Sequence, residues 1–419
     1  MNAPEWNGSR VGSSSPPRSM TICGSGNGAH ALAVVASQNL DGDIDWLIGS
    51  EEKADRIRHA VSSSGLRSTG AIAARAVRLR TISADPAEVI PHADLVVMVV
   101  PAFAHTAVID RIRPFVSQKT TIACIPTRGG FEFEAAQLTP SHRSVRSNIL
   151  GLQTLPWSTR VVTFGEVVHI GAVKSEVVLA TLPVTREAAA AALVSKLLGI
   201  EVIATQSFLS LTLGNPGQFI HPGLMYGHFR SWGERECDED EIPLLYAHAT
   251  DEIGDIVAGL SRDAINVAME IEAQSHGVLT LQGGVAPIHD WLRRTYGSVT
   301  GDMRSVAACF RTGPIQARKA PMIEVGPGRF VPNYEYRYLS EDVPFGLVVT
   351  RAFAEMVDVE TPVIDEVISW AQTVLDKVYL GDGKVAGPDA AGLPLPQNYG
   401  VRTVPDLVDW YREASYSRA

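Results

Sequence analysis

The first half of this 419-residue chain is predicted to be α/β and the second half mostly α-helical. Three observations carry that expectation. Close to the amino terminus a short apolar run enters a glycine-rich turn and then an alanine-rich stretch. Farther on, near-continuous apolar runs recur in the manner of parallel strands buried on both faces. After Thr205 the pattern shifts to apolar residues at helical spacing. The length also argues for more than one core. The boundaries drawn are a disordered amino-terminal arm over residues 1–19, a dinucleotide-binding domain over 20–205 and a mostly helical substrate domain over 206–419.

Composition excludes several function classes. The chain carries 36 Lys and Arg against 46 Asp and Glu, a net charge of −10, the wrong balance for a protein that binds nucleic acid through its phosphates. No apolar run reaches the roughly 18–20 residues of a membrane helix. Residues 1–19, with Ser13-Ser14-Ser15-Pro16-Pro17, lack the apolar stretch of a signal peptide. A soluble cytoplasmic protein without nucleic-acid or membrane partners is expected. Cys23, Cys124, Cys237 and Cys309 are far apart, and no Cys/His spacing suits zinc. No metal and no disulfide framework are expected.

The first strand is read over Met20 to Cys23. It leads into Gly24-Ser25-Gly26-Asn27-Gly28-Ala29, then a helix from Ala31 to Ser37 and a second strand over Asp43 to Gly49. Strand, glycine turn, helix and strand in this order form the context of a dinucleotide-binding, Rossmann-type fingerprint. Gly24 permits the tight turn, Gly26 lets backbone approach a pyrophosphate, and Ala29 allows close helix–strand packing. Asn27 and Gly28 are assigned to the cofactor with them, and the amides and dipole of the helix that follows hold the phosphates. A glycine turn that merely joins two elements is the plainer alternative, and the context speaks against it.

The end of the second strand decides the cofactor. An acid there binds the ribose hydroxyls of NAD and repels a 2′-phosphate. Here Ser50 stands at that point, with Lys53 and Arg56 placed to meet a phosphate, so NADP is expected. A small shift that brings Glu51 or Glu52 to the position gives NAD as the alternative. Further buried strands follow over Ala93 to Pro101 and Thr120 to Pro126, and strand-like runs continue from Arg160 to Leu182. Ligands of such sheets lie beyond the strands' carboxyl ends. The loops Pro101 to His105 and Pro126 to Gly130 are therefore candidate pocket walls, and Pro101 is assigned to the cofactor. A helix over Thr185 to Leu198 and a strand over Ile200 to Ile203 complete the domain.

In the second half, helices are read over Glu241 to Glu272, Asp342 to Met356 and Thr361 to Asp376. Thr361 before Pro362 is a good helix entry, and Asp342 before Val343-Pro344 reads as another. Two clusters carry possible chemistry. In Leu213 to Gly223, glycines and prolines break regular structure, and His221 has the pKa of a general acid. In Asn333 to Gly346, Arg337 offers bidentate geometry to a carboxylate, and Asp342 can orient a histidine. Taken singly, each has a plainer reading: His221 as a structural histidine, Arg337 as a surface residue, Asp342 as a helix cap. The acidic run within Trp232 to Glu241 reads as a solvated face or loop, with attraction of a cationic amine as the alternative.

Together these residues resemble the opine dehydrogenases of the octopine and nopaline type, over most of the ordered chain. The marks are Gly24 to Ala31 with its GNGAHA core, Thr154-Leu155-Pro156-Trp157, Asn215 to Pro222, the Arg337–Asp342 block and Thr361 to Asp365. Trp157 replaces the family's tyrosine. The resemblance implies an NAD(P)H-dependent enzyme that condenses an amino acid or other amine with a 2-oxo acid such as pyruvate and reduces the imine. It implies His221 as the catalytic histidine, Asp342 as its carboxylate partner, Arg337 as the substrate-carboxylate site, Thr154 and Trp157 as substrate contacts, and a homodimer. The alternatives are a dehydrogenase of a 2-oxo acid or alcohol that uses no amine, and a nucleotide-binding sensor without chemistry.

Overall fold

The order in which strands are added reverses at the first strand, and that reversal creates the crevice on which the rest depends. The computed structural model describes residues 17–74, 77–138, 148–281 and 283–415. Its strands are β1 (Ser19–Cys23), β2 (Asp43–Leu47), β3 (Arg67–Gly70), β4 (Thr81–Ser83), β5 (Leu95–Met98), β6 (Thr121–Cys124), β7 (Asn148–Leu152), β8 (Trp157–Thr163), β9 (Val167–Val173), β10 (Glu176–Leu182), β11 (Glu201–Ala204), β12 (Met322–Gly326) and β13 (Arg329–Pro332). The main sheet has the order β11-β10-β7-β6-β5-β1-β2-β4. From β4 to β7 every pairing is parallel, whereas β10 is antiparallel to β7. The six parallel strands have the doubly wound order of a dinucleotide-binding domain, with its switch point between β1 and β5.

Most of the arm expected over residues 1–19 lies outside the described residues. Arg18 and Ser19 are already part of the fold, because both backbone amides donate to the Asp94 carboxylate, at 2.8 and 3.3 Å. The run from Arg160 to Leu182 divides. β8 and β9 leave the main sheet and pair with β3 in a three-stranded sheet. Most of their residues are partly or fully exposed, as suits an antiparallel pair with one face in water. β10 is buried along nearly its whole length and stays in the main sheet.

The second half is helical apart from the β12–β13 hairpin. Its long helix runs from Asp251 to Gln274, so the expected start at Glu241 is ten residues early. Pro243 restricts Ile242 to extended backbone, and Thr250 caps the true start, its hydroxyl accepting from the Ile253 amide at 3.2 Å. The proline at 222 does not break its helix, Gly217–Phe229. It removes one backbone donor, and the surrounding burial outweighs that loss. Four acids of the acidic run are paired locally: Glu236 and Asp238 with Arg329, Glu239 with Lys319, and Glu241 with Arg235. The carboxyl-terminal helix Val404–Ser415 returns to the first half, where Trp410 packs on Phe133 at 4.7 Å.

Candidate active site

The fingerprint turn is built for a backbone to approach something. Gly24 has φ +122°, and a Cβ there would lie 2.4 Å from the Val99 carbonyl oxygen; no other residue fits. A Cβ on Gly26 would meet nothing within 4 Å. Packing therefore does not require glycine at 26, whereas a phosphate lying over the turn does. The helix Asn27–Asn39 begins directly after it, and Ala29 is fully buried against the sheet. Two side chains brace the turn from behind. The Trp46 indole donates to the Gly24 carbonyl at 2.6 Å. His30 sits between the Gly26 carbonyl, 3.0 Å from Nδ1, and the Gly165 amide, which donates to Nε2 at 3.1 Å. That amide fixes the tautomer with the proton on Nδ1, and burial holds the ring below its ordinary pKa. Asn27 spends its side-chain oxygen on the Val161 amide at 2.8 Å.

Beyond β2, Ser50 precedes the helix Glu51–Ser63 and, like Lys53, is exposed at the rim. Glu51 is turned along its own helix and pairs with Arg58. The Arg56 guanidinium lies over the Phe164 ring at 4.8 Å. Pro101 follows β5 across the crevice and is exposed.

The predicted pair in the second half is brought together. His221 Nδ1 lies 2.7 Å from Asp342 Oδ2, although 121 residues separate them. Asp342 does not cap a helix with its side chain; it opens a single π-helical turn, Val343–Leu347, a distortion common at functional sites. Its other oxygen is 3.0 Å from Arg128 Nη2. Arg128 is buried, donates to Asn215 Oδ1 at 2.8 Å and approaches Glu341 at 3.4 Å. Burial alone would push the Asp342 carboxyl up, but Arg128 and His221 outweigh it and hold it below the usual range. Burial lowers the His221 pKa; Asp342 opposes this, and Arg128 and Arg337 add to the lowering. The Tyr338 ring stacks on the imidazole at 3.9 Å between centroids. His221 is thus an oriented imidazole whose pKa is held below its ordinary value, and among the described residues Nε2 has no hydrogen-bond partner.

A cavity of about 180 Å³ opens beside it. His221, Arg337 and Thr154 line it, as the sequence predicts, together with Arg128, Lys174 and Asn215. The opposite wall is apolar, with Trp291, Leu292, Tyr296, Phe310 and Ile315. Leu155 connects cavity and crevice: it lines the former, and its Cδ2 lies 2.9 Å from where a Cβ on Gly28 would sit. Trp157 is buried outside this lining, at the start of β8. Arg337 is half-exposed and leans on Glu341, 3.3 Å away. Glu341 also accepts from the Ala102 amide at 3.1 Å, tying the Pro101 loop to the site.

Sequence reasoning missed Arg128, Asn215, Lys174 and Tyr338 as site residues. Arg128 stood in a loop already marked as a pocket wall. Asn215 stood in the His221 cluster, yet its role is spatial: its amide donates to the carbonyls of Thr127 and Gln153, both at 2.9 Å. Lys174 gave no signal, since a lysine at the end of β9 looks like any surface lysine.

Comparison with known proteins agrees with this architecture. The family model for the α-helical domain of NAD/NADP octopine/nopaline dehydrogenases matches residues 204–375. An opine dehydrogenase of Haliotis discus hannai is 31% identical over 93% of this chain and 98% of its own. A tauropine dehydrogenase of Arabella iricolor is 28% identical over 93% and 99%. An octopine dehydrogenase solved with NADH and agmatine superposes with a TM-score of 0.82 at 26% identity, covering 93% of this chain and 97% of that one. At this identity and coverage the chain belongs to the opine dehydrogenase family, nicotinamide-nucleotide-dependent oxidoreductases acting on CH–NH.

Proposed function

We propose that this chain condenses the amine of an amino acid with a 2-oxo acid of the pyruvate class and reduces the product with NADPH in preference to NADH. The observation that carries this reading is the neutral His221, oriented by Asp342 and Arg128, facing a cavity that Leu155 joins to the nucleotide crevice. An amino acid reaches the site as an ammonium ion, which has no lone pair. Neutral His221 takes one proton from it and becomes histidinium, stabilised by Asp342. The freed amine attacks the oxo carbon and gives a carbinolamine. Histidinium then returns its proton to the carbinolamine hydroxyl, water leaves, and a protonated imine remains. One proton is borrowed and restored, so His221 ends as it began. The bound nucleotide supplies the hydride that reduces the imine carbon. Arg337 holds a carboxylate at the rim, and enclosure turns a weak bimolecular condensation into a positioned one.

Ser50 and Lys53, exposed beside a Glu51 already occupied by Arg58, favour the 2′-phosphate of NADP. The four cysteines, all buried and free, suit a reducing compartment, and we place the protein in the cytoplasm as a homodimer. The test is the rate of NADPH and NADH oxidation with pyruvate, with and without amino acids. Oxidation that needs both pyruvate and an amine, and is faster with NADPH, is expected. Oxidation with pyruvate alone would identify a simple oxo-acid dehydrogenase, and nucleotide binding without turnover a sensor.

A further inference from the structure

Resting on that reading, we propose that the amino donor is an amino acid with an uncharged, apolar side chain, whose carboxylate is held by Lys174. The charge pattern of the cavity carries the argument. Its lining includes Arg128, Lys174, Arg337 and His221 and, among the described residues, no Asp or Glu. The nearby carboxylates, Asp342 and Glu341, lie behind the lining and are already paired with Arg128, His221 and Arg337. Arg128 is committed to Asp342, Glu341 and Asn215. Arg337 meets Glu341 through Nε and turns its Nη groups to substrate, and Lys174 is the second cation for it. A condensation of an amino acid with a 2-oxo acid brings two carboxylates, one for each.

Lys174 is placed for an anion. Its ammonium donates to the Leu155 carbonyl at 2.5 Å and sits 5.7 Å from the Trp291 ring centroid. One donor is spent on Leu155, and two remain. Burial, with Arg128 adding, pushes the amine down to about 7, so an anion beside it restores the full charge. The side chain of the donor then faces Trp291, Leu292, Tyr296, Phe310 and Ile315, where apolar surface is buried at a gain. A guanidinium or second ammonium there would meet no carboxylate and would stand among like charges.

Initial rates with pyruvate and single donors test this: leucine, methionine and phenylalanine against arginine, lysine and agmatine. The apolar amino acids are expected to exceed the cationic donors in kcat/KM by about 100-fold or more, as an unpaired buried charge implies. Lys174→Met is expected to raise the amino-acid KM by about tenfold or more while the pyruvate KM stays near wild type, and Lys174→Arg to keep most of the affinity. Nucleotide binding of each variant reports that it is folded. Preference for arginine or agmatine, or an unchanged amino-acid KM in Lys174→Met, overturns the inference and leaves the condensation reading standing. Absence of amine-dependent oxidation with every donor overturns that reading, and this inference with it.

Discussion

At the scale of single residues, the proposed chemistry requires His221 to be neutral in the resting enzyme. Burial lowers its pKa, Asp342 raises it in part, and Arg128 and Arg337 lower it again. The acid limb of kcat/KM for the amino donor therefore falls below pH 6.5, because histidinium cannot accept the ammonium proton. Asp342→Asn removes the group that raises the pKa, so its limb moves to still lower pH while turnover drops. His221→Asn lowers turnover by about 10²–10⁴-fold with nucleotide affinity near wild type. A pH–rate series on the three proteins checks this, and a limb above pH 6.5 in wild type would contradict it. Residue type alone allowed His221, Arg337 and Asp342 plainer readings, and only their match to a family pattern joined them. Arg128 escaped notice because its meaning is two buried oxygens contributed from more than 200 residues away.

At the scale of elements, the legible parts were those with local causes. The β1 turn declared itself because Gly24 must adopt positive φ against Val99. The buried strands declared themselves by apolar runs, as did the Thr361-Pro362 helix entry. Assignment of β8 and β9 to a separate sheet was not legible, because partner choice is set by tertiary contacts and not by strand pattern. The short helix Phe131–Ala136 carries a further consequence. Glu132 is fully buried against Thr212 and Tyr411 of the second half, and burial pushes its carboxyl up to about 7. Its folded pKa lies above its unfolded value, so its contribution is fully present below about pH 4.3 and is lost as pH rises through 7, on the order of 3 kcal/mol. Glu132→Gln removes that titration. Thermal midpoints at pH 6 and pH 9 should then differ less in the variant than in wild type, and an equal difference would contradict the account.

At the scale of the whole molecule, function arises where two halves meet. The first half supplies the crevice, Arg128, Thr154 and Lys174; the second supplies His221, Arg337, Asp342 and the apolar wall. Asn215 and Glu341 join them, each bonded across to the first half. The two-part architecture was legible in the change of pattern after Thr205, but the charge of the cavity was not, since its cations Arg128, Lys174 and Arg337 come from three separate segments. The central claim is that one carbon receives both the amine and the hydride. The most direct test is a reaction of pyruvate with a ¹⁵N-labelled amino acid and nicotinamide nucleotide deuterated at the transferring position, read by mass spectrometry. The account predicts a single product carrying both labels, with deuterium on the carbon bonded to ¹⁵N. Deuterated lactate beside unchanged amino acid would contradict it.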